Sequence, residues 1–125
     1  MRADIGNALF YMDLTGTWQF FELFENGFDH GYAVLRQNGN EIDGTISYRE
    51  FIADDVDFLI SVDVEGEVQD EETFVLFGKT MEIFAPDIEY NFDDRRGTML
   101  DDNTIEGDSM DEQGQGGHFF MRRMD

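Results

Sequence analysis

The chain contains no cysteine, which excludes disulfides and thiolate metal sites and leaves the redox compartment open. It contains one proline, Pro86, in the turn-like triplet Ala85-Pro86-Asp87. Of its eight cations only Lys79 is a lysine. The N-terminal run Met1–Phe10 lacks the long apolar core of a signal peptide, and no window approaches the length of a membrane span. These absences predict a cytoplasmic protein. No helical period interrupts the strand-like runs that fill the chain after residue 15.

Cationic charge is scarce as well. Eight Lys and Arg stand against 29 Asp and Glu, a net charge of −21. Direct contact with nucleic acid or an anionic membrane is therefore disfavoured, because phosphate binding needs a cationic patch. The charge serves solubility and suits a salty environment. A sharper reading is an acidic protein-interaction module, an inhibitor or decoy for a basic partner, built on a filled barrel.

What is present is apolar and aromatic. Hydrophobic residues make up 41% of 125 residues, with 13 phenylalanines, enough for one core. The expectation is a single domain over 1–125. The first long apolar run, Thr15 to Phe24, holds Trp18, the only tryptophan.

Strand-like segments follow at about 15–25, 28–37, 41–52, 56–68, 73–84, 88–100, 104–110 and 118–124, with polar or glycine turns between them. Alternation is clearest in the third and fourth. Ile42, Gly44, Ile46 and Tyr48 share one face of the third, and Phe58, Ile60, Val62, Val64, Gly66 and Val68 one face of the fourth. Asn26-Gly27 and Asn38-Gly39-Asn40 are hairpin signals. Gly78-Lys79 either splits the fifth segment or lies within it, and Gly97 is a candidate bulge. Ile5, Leu9 and Met12 at helical spacing predict a short helix over 3–12 that plugs one end.

No connection is long enough for a parallel crossover. Long sequential antiparallel strands either close on themselves or leave two exposed edges. The predicted fold is all-β: a single antiparallel up-and-down barrel of about eight strands with the helical plug. An open sandwich is the second choice.

By strand phase Phe20, Tyr32, Tyr48, Phe58, Phe74, Tyr90 and Phe119 point inward. An eight-stranded barrel encloses either a packed core or one small-ligand cavity, and these aromatics suit both. Phe21, Leu23, Phe77 and Phe120 fall on the outward phase, where they would cover a dimer face or lie under the N-terminal segment.

Other features carry less. His30 and His118 sit on separate strands with no spacing that requires a metal. Asp101 to Asp108 resembles a calcium loop, but Thr104 and Glu106 take inner ligand positions and Gln113 replaces the closing glutamate. Gly114-x-Gly-Gly opens no helix, so it reads as a turn. Cysteine is absent, serine is scarce, and neither histidine adjoins a nucleophile, so no residue nominates itself as catalytic. No cofactor is expected.

Gly16-Thr17-Trp18 on the first strand after a short helix, with arginine on the last strand, resembles the calycin superfamily, the lipocalins and their relatives. Gly44-Thr45-Ile46-x-Tyr48, Val64-x-Gly66-x-Val68, Ile105-x-Gly107 and Gly117 to Arg122 are similar to small bacterial lipocalin-like domains. The resemblance implies that Trp18 packs at the closed end and that a basic side chain of the final strand lies across it. Arg123 shares a face with Phe119 and Met121, which favours it over Arg122. The resemblance also implies a small apolar or aromatic ligand inside the barrel.

Overall fold

The computed structural model describes residues 12–53, 57–84, 92–111, 114 and 116–124. Eight strands follow in order: β1 (Gly16–Phe24), β2 (Gly27–Asn38), β3 (Glu41–Ile52), β4 (Phe58–Val68), β5 (Thr73–Phe84), β6 (Asp93–Asp101), β7 (Thr104–Asp111) and β8 (Gly116–Met124). Each pairs antiparallel with its chain neighbours, and β1 pairs with β8, so the sheet closes into a barrel. Closure removes both sheet edges and fixes an inside and an outside for every strand.

The expected helical plug is not found. Residues 1–11 lie outside the described residues, the described residues contain no helix, and Met12–Leu14 is irregular chain. These residues are tied to β2 instead. The Leu14 amide donates to the Gln37 side-chain oxygen (2.9 Å), and the Gln37 side-chain amide donates to the Met12 carbonyl (3.0 Å). A side chain of β2 thus holds the backbone of this irregular segment, while Met12 and Leu14 are buried under the barrel. No helix among the described residues is long and apolar enough to cross a membrane, a statement that does not bear on β-barrels.

The first hairpin turns one residue earlier than its Asn-Gly signal. Glu25 and Asn26 form the turn, and Gly27 is already paired with Phe24. The second turns at Gly39-Asn40, with Gly39 at a φ of 64°. Gly78-Lys79 does not split β5. Asp63 pairs with Thr80 and Val64 with Gly78, so Lys79 is the extra residue of a bulge. Nor is Gly97 a bulge: it pairs with Gly107, and the register shift falls at Leu100.

Strand β2 presents the opposite face to the expected one. Asp29, Gly31, Ala33 and Leu35 point inward, and Tyr32 faces out at 48% exposure. The cause is volume. Phe20 of β1 and Tyr48 of β3 both pair with Gly31, and their rings approach to 5.5 Å across it. Trp18 and Ile46 likewise flank Ala33. Bulky residues on β1 and β3 leave room inside only for small ones on β2.

At one end Trp18 is fully buried, and its indole N–H donates to the Leu14 carbonyl (3.0 Å). The Arg123 guanidinium lies 4.3 Å from the indole centre and donates to the carbonyls of Asp102, Thr15 and Asp13. Gly16, at a φ of 143°, leaves room for Arg123, whose Nη1 would stand 3.0 Å from an added Cβ. Above this floor Phe20, Phe74 and Phe119 are fully buried, with Phe20 and Phe119 6.3 Å apart. On the outside Leu23 and Phe77 are exposed, while Phe21 and Phe120 pair across β1 and β8 and are half-buried.

A methyl group at Gly97 would overlap the Phe74 ring. Gly97→Ala should therefore cost about 1–3 kcal/mol through overpacking. Urea unfolding followed by Trp18 emission measures this, and Phe74→Leu in the same chain should restore part of the loss.

Candidate functional site: a buried charged cluster

The end of the barrel away from Trp18 is lined differently. Following the inward phase from Trp18 and Phe20, β1 next presents Glu22. Glu22 pairs with Asp29 of β2, and Asp29 pairs with Glu50 of β3. Three carboxyl side chains thus stand side by side on the inner wall, all buried. Like charges directly opposite one another on a sheet are destabilising.

Arg95 of β6 reaches this wall across the interior. Its Nε donates to Glu22 Oε2 (3.1 Å) and its Nη2 to Glu22 Oε1 (3.0 Å), a two-pronged pairing. Nη2 also donates to Asp93 Oδ2 at 3.3 Å. The Arg95 side chain is only 2% exposed. Its guanidinium lies 5.1 Å from the Phe20 ring centre and 6.0 Å from that of Tyr48.

Ionisation follows from these contacts. Burial alone would raise the pKa of Glu22, but the Arg95 charge and its hydrogen bonds, with that of Ser109, hold it below the ordinary carboxylate value. Burial alone would lower that of Arg95, but Glu22 and the other groups facing it hold it well above its ordinary value. Asp93 is pushed up to about 7, chiefly by burial, against the pull of Arg95.

Asp29 has no such partner. Among the described residues no donor reaches either of its oxygens. Its neighbours are the carboxyls of Glu50 and Glu22, which with burial push its pKa up to about 11. At neutral pH Asp29 is therefore a neutral acid, able to bond its neighbours only by donating its own proton.

Beside the cluster lies the seam between β5 and β6. Among the described residues β5 and β6 pair only from Thr73–Phe77 to Asp94–Thr98. The rest of β5, Gly78–Phe84, pairs with β4. Phe92 packs over Gly78 at this seam, and the Asp93 side chain there is 15% exposed. Ile52, Ile83 and Phe92 are partly buried around the same end.

Of the aromatics expected to face inward, Phe20, Phe74 and Phe119 belong to the packed half. Tyr48 and Phe58 are buried next to the charged cluster, Phe58 paired with Glu50. Tyr32 faces outward, and Tyr90 lies outside the described residues. His30 and His118 are on the outer wall, where His118 Nδ1 is 2.9 Å from Asp108 Oδ1. No group of three or more His, Asp or Glu among the described residues is placed to hold a metal ion.

Sequence reasoning missed Glu22, Asp29, Glu50, Asp93 and Arg95. Two of them were within its reach: Glu22 follows Trp18 and Phe20 at period two, and Glu50 follows Ile46 and Tyr48.

No protein-family model and no curated protein matches the chain. Solved structures do. The fold is that of redesigned β-barrels. The chain is similar to the redesigned barrel mFAP1, bound to DFHBI, at 15% identity and a TM-score of 0.65, over 88% of this chain and 94% of that one. It is similar to the redesigned barrel b11L5F_LGL at 15% identity and a TM-score of 0.66, over 90% and 92% of the two chains. A fluorescence-activating β-barrel of de novo design aligns at 16% identity and a TM-score of 0.56, over 89% and 94%. At these identities the shared property is the closed eight-stranded antiparallel barrel.

The cluster makes stability depend on pH with a definite sign. An unfolded aspartate releases its proton near pH ~3.9, whereas folded Asp29 keeps it to about pH 11. Between these values unfolding releases a proton, so stability falls as pH rises, by on the order of 1 kcal/mol per pH unit. Asp93, raised to about 7, adds to the same trend below neutrality. Urea unfolding should find the protein more stable at pH 5 than at pH 8. Asp29→Asn, isosteric with the neutral acid, should flatten that slope; an unchanged slope would show that Asp29 does not hold the proton.

Proposed function

We propose that the protein binds a small ligand inside the barrel, at the end lined by Arg95 and its carboxyl neighbours. The apolar or aromatic part of the ligand rests against Tyr48 and Phe58. The observation that carries this reading is the buried Arg95–Glu22 pair, set with Asp29 and Glu50 at one end of an interior whose other end is packed with hydrocarbon. Desolvating two charges costs about as much as their attraction returns, so such a pair is poorly explained by stability alone. Clusters of buried titratable groups with shifted pKa values are more often found at functional sites.

Two further observations support it. The packed half, from Trp18 to Phe20, Phe74 and Phe119, supplies a rigid floor, so the charged end need not serve as core. Asp93, 15% exposed at the seam beside Phe92, brings the cluster to the surface of the barrel. The likeness in fold to mFAP1, which is bound to DFHBI, and the resemblance to lipocalins point the same way.

Paired substitutions separate ligand binding from stability. Arg95→Met alone should cost about 3–5 kcal/mol, because it leaves Glu22 buried and unpaired. Glu22→Leu with Arg95→Met should restore that stability or exceed the wild type by about 1–4 kcal/mol. The double variant should also lose any compound found by denaturing extraction and mass spectrometry of the protein purified from its own host. An empty wild-type extract, together with a crystal structure whose charged end is packed solid, would overturn the reading.

A further inference from the structure

We propose that the group taken up at the charged end is an organic cation, a primary ammonium or an amidinium on an apolar or aromatic body, held by Asp29 between Glu22 and Glu50. This inference deepens the ligand-binding reading above and rests on it. It starts from a mismatch of donors and acceptors. Asp29 is fully buried, and no donor among the described residues reaches either oxygen. The groups beside it, Glu22 and Glu50, are acceptors themselves when ionised.

Arg95 does not serve Asp29. Its fork is taken by Glu22, its Nη2 also bonds Asp93, and its flat face lies toward Phe20 and Tyr48. What Asp29 lacks among the described residues is an N–H donor. An ammonium brings three and an amidinium four, with no acceptor to add to the excess. The surroundings suit an apolar body, since Phe58 is buried beside Glu50 and Ile52, Ile83 and Phe92 are half-buried around the same end. A bare metal ion fits less well, because no three acidic or histidine side chains among the described residues converge on one point. The net charge of −21 also raises the local concentration of cations.

Uptake is an exchange. In the free protein Asp29 holds a proton. When the cation enters, the Asp29 O–H bond breaks, its electron pair stays on the carboxylate, and the proton passes to solvent. One positive charge replaces another, so the site keeps its net charge and one proton is released per ligand bound. Apparent affinity then rises about tenfold per pH unit while the ligand stays charged.

Benzamidine, charged throughout this range, and benzamide, its neutral counterpart of nearly the same shape, are the probes. Calorimetric titration of the full chain at pH 7 and pH 8, in phosphate and in Tris, counts the protons. Benzamidine should release close to one proton, bind about tenfold more tightly at pH 8 than at pH 7, and bind at least about tenfold more tightly than benzamide. Asp29→Asn should weaken benzamidine binding and abolish proton release, and Glu50→Gln should weaken binding while leaving the release. If benzamide binds as well as benzamidine, or benzamidine releases no proton, the cation assignment falls while binding in the barrel stands. If neither probe binds and the host-purified protein yields no compound, both readings fall. The proton count on the wild type decides the matter even if a variant does not fold.

Discussion

Pairing of β1 with β8 is the constraint on which the rest depends. Once the ring is closed, no strand can turn its face without its neighbours. Trp18 and Phe20 commit one face of β1 to the interior, and the register carries that choice round the barrel. Small residues on β2 point inward because the rings on either side need the room. The same closure carries Glu22, Asp29 and Glu50 inside, since each shares a face with its strand's core residues. The charged cluster is thus a consequence of the fold's phase.

The two ends use arginine in opposite ways. Arg123 sits at the margin of the closed end, over Trp18, and spends its donors on three backbone carbonyls. Those carbonyls belong to the irregular chain at the floor and the β6–β7 turn, so the residue ties loose backbone to the barrel. Arg95 crosses the interior and compensates Glu22 of β1 and Asp93 of its own strand. One guanidinium cannot neutralise every carboxyl of the cluster. The site answers by keeping Asp29 protonated and lifting Asp93 toward neutrality. A packed, apolar floor and a polar, acceptor-rich end give the barrel a direction.

Strand number, strand order and most boundaries were legible because alternation and turn residues are local signals. The Asn26-Gly27 signal was read one residue late, which is enough to misplace the partner of Glu22. The face of β2 was misread for a physical reason. Its even positions, Phe28, His30, Tyr32 and Val34, are the larger side chains, and size argues for burial when a strand is considered alone. Inside the barrel the opposite holds, because Phe20 and Tyr48 already occupy the space over Gly31. Asp29 was hidden by that inversion. Glu22 and Glu50 were hidden by a reluctance to extend an apolar face onto a carboxylate, although period two led directly to them.

The sequence by itself determined the all-β architecture and the closing of eight antiparallel strands, while the pairing of Trp18 with Arg123 was implied by the resemblance to the calycin superfamily and is seen in the structure. Architecture and closure rest on periodicity, turn chemistry and composition, all of which are properties of short stretches. Only the tertiary structure decided which carboxylates meet, that Arg95 reaches Glu22 across 73 positions of chain, and that Asp29 is left among acceptors. Those facts depend on the register between strands and on competition for volume in a closed interior. No short stretch of chain contains that information, because the energy of a buried charge is set by what stands opposite it.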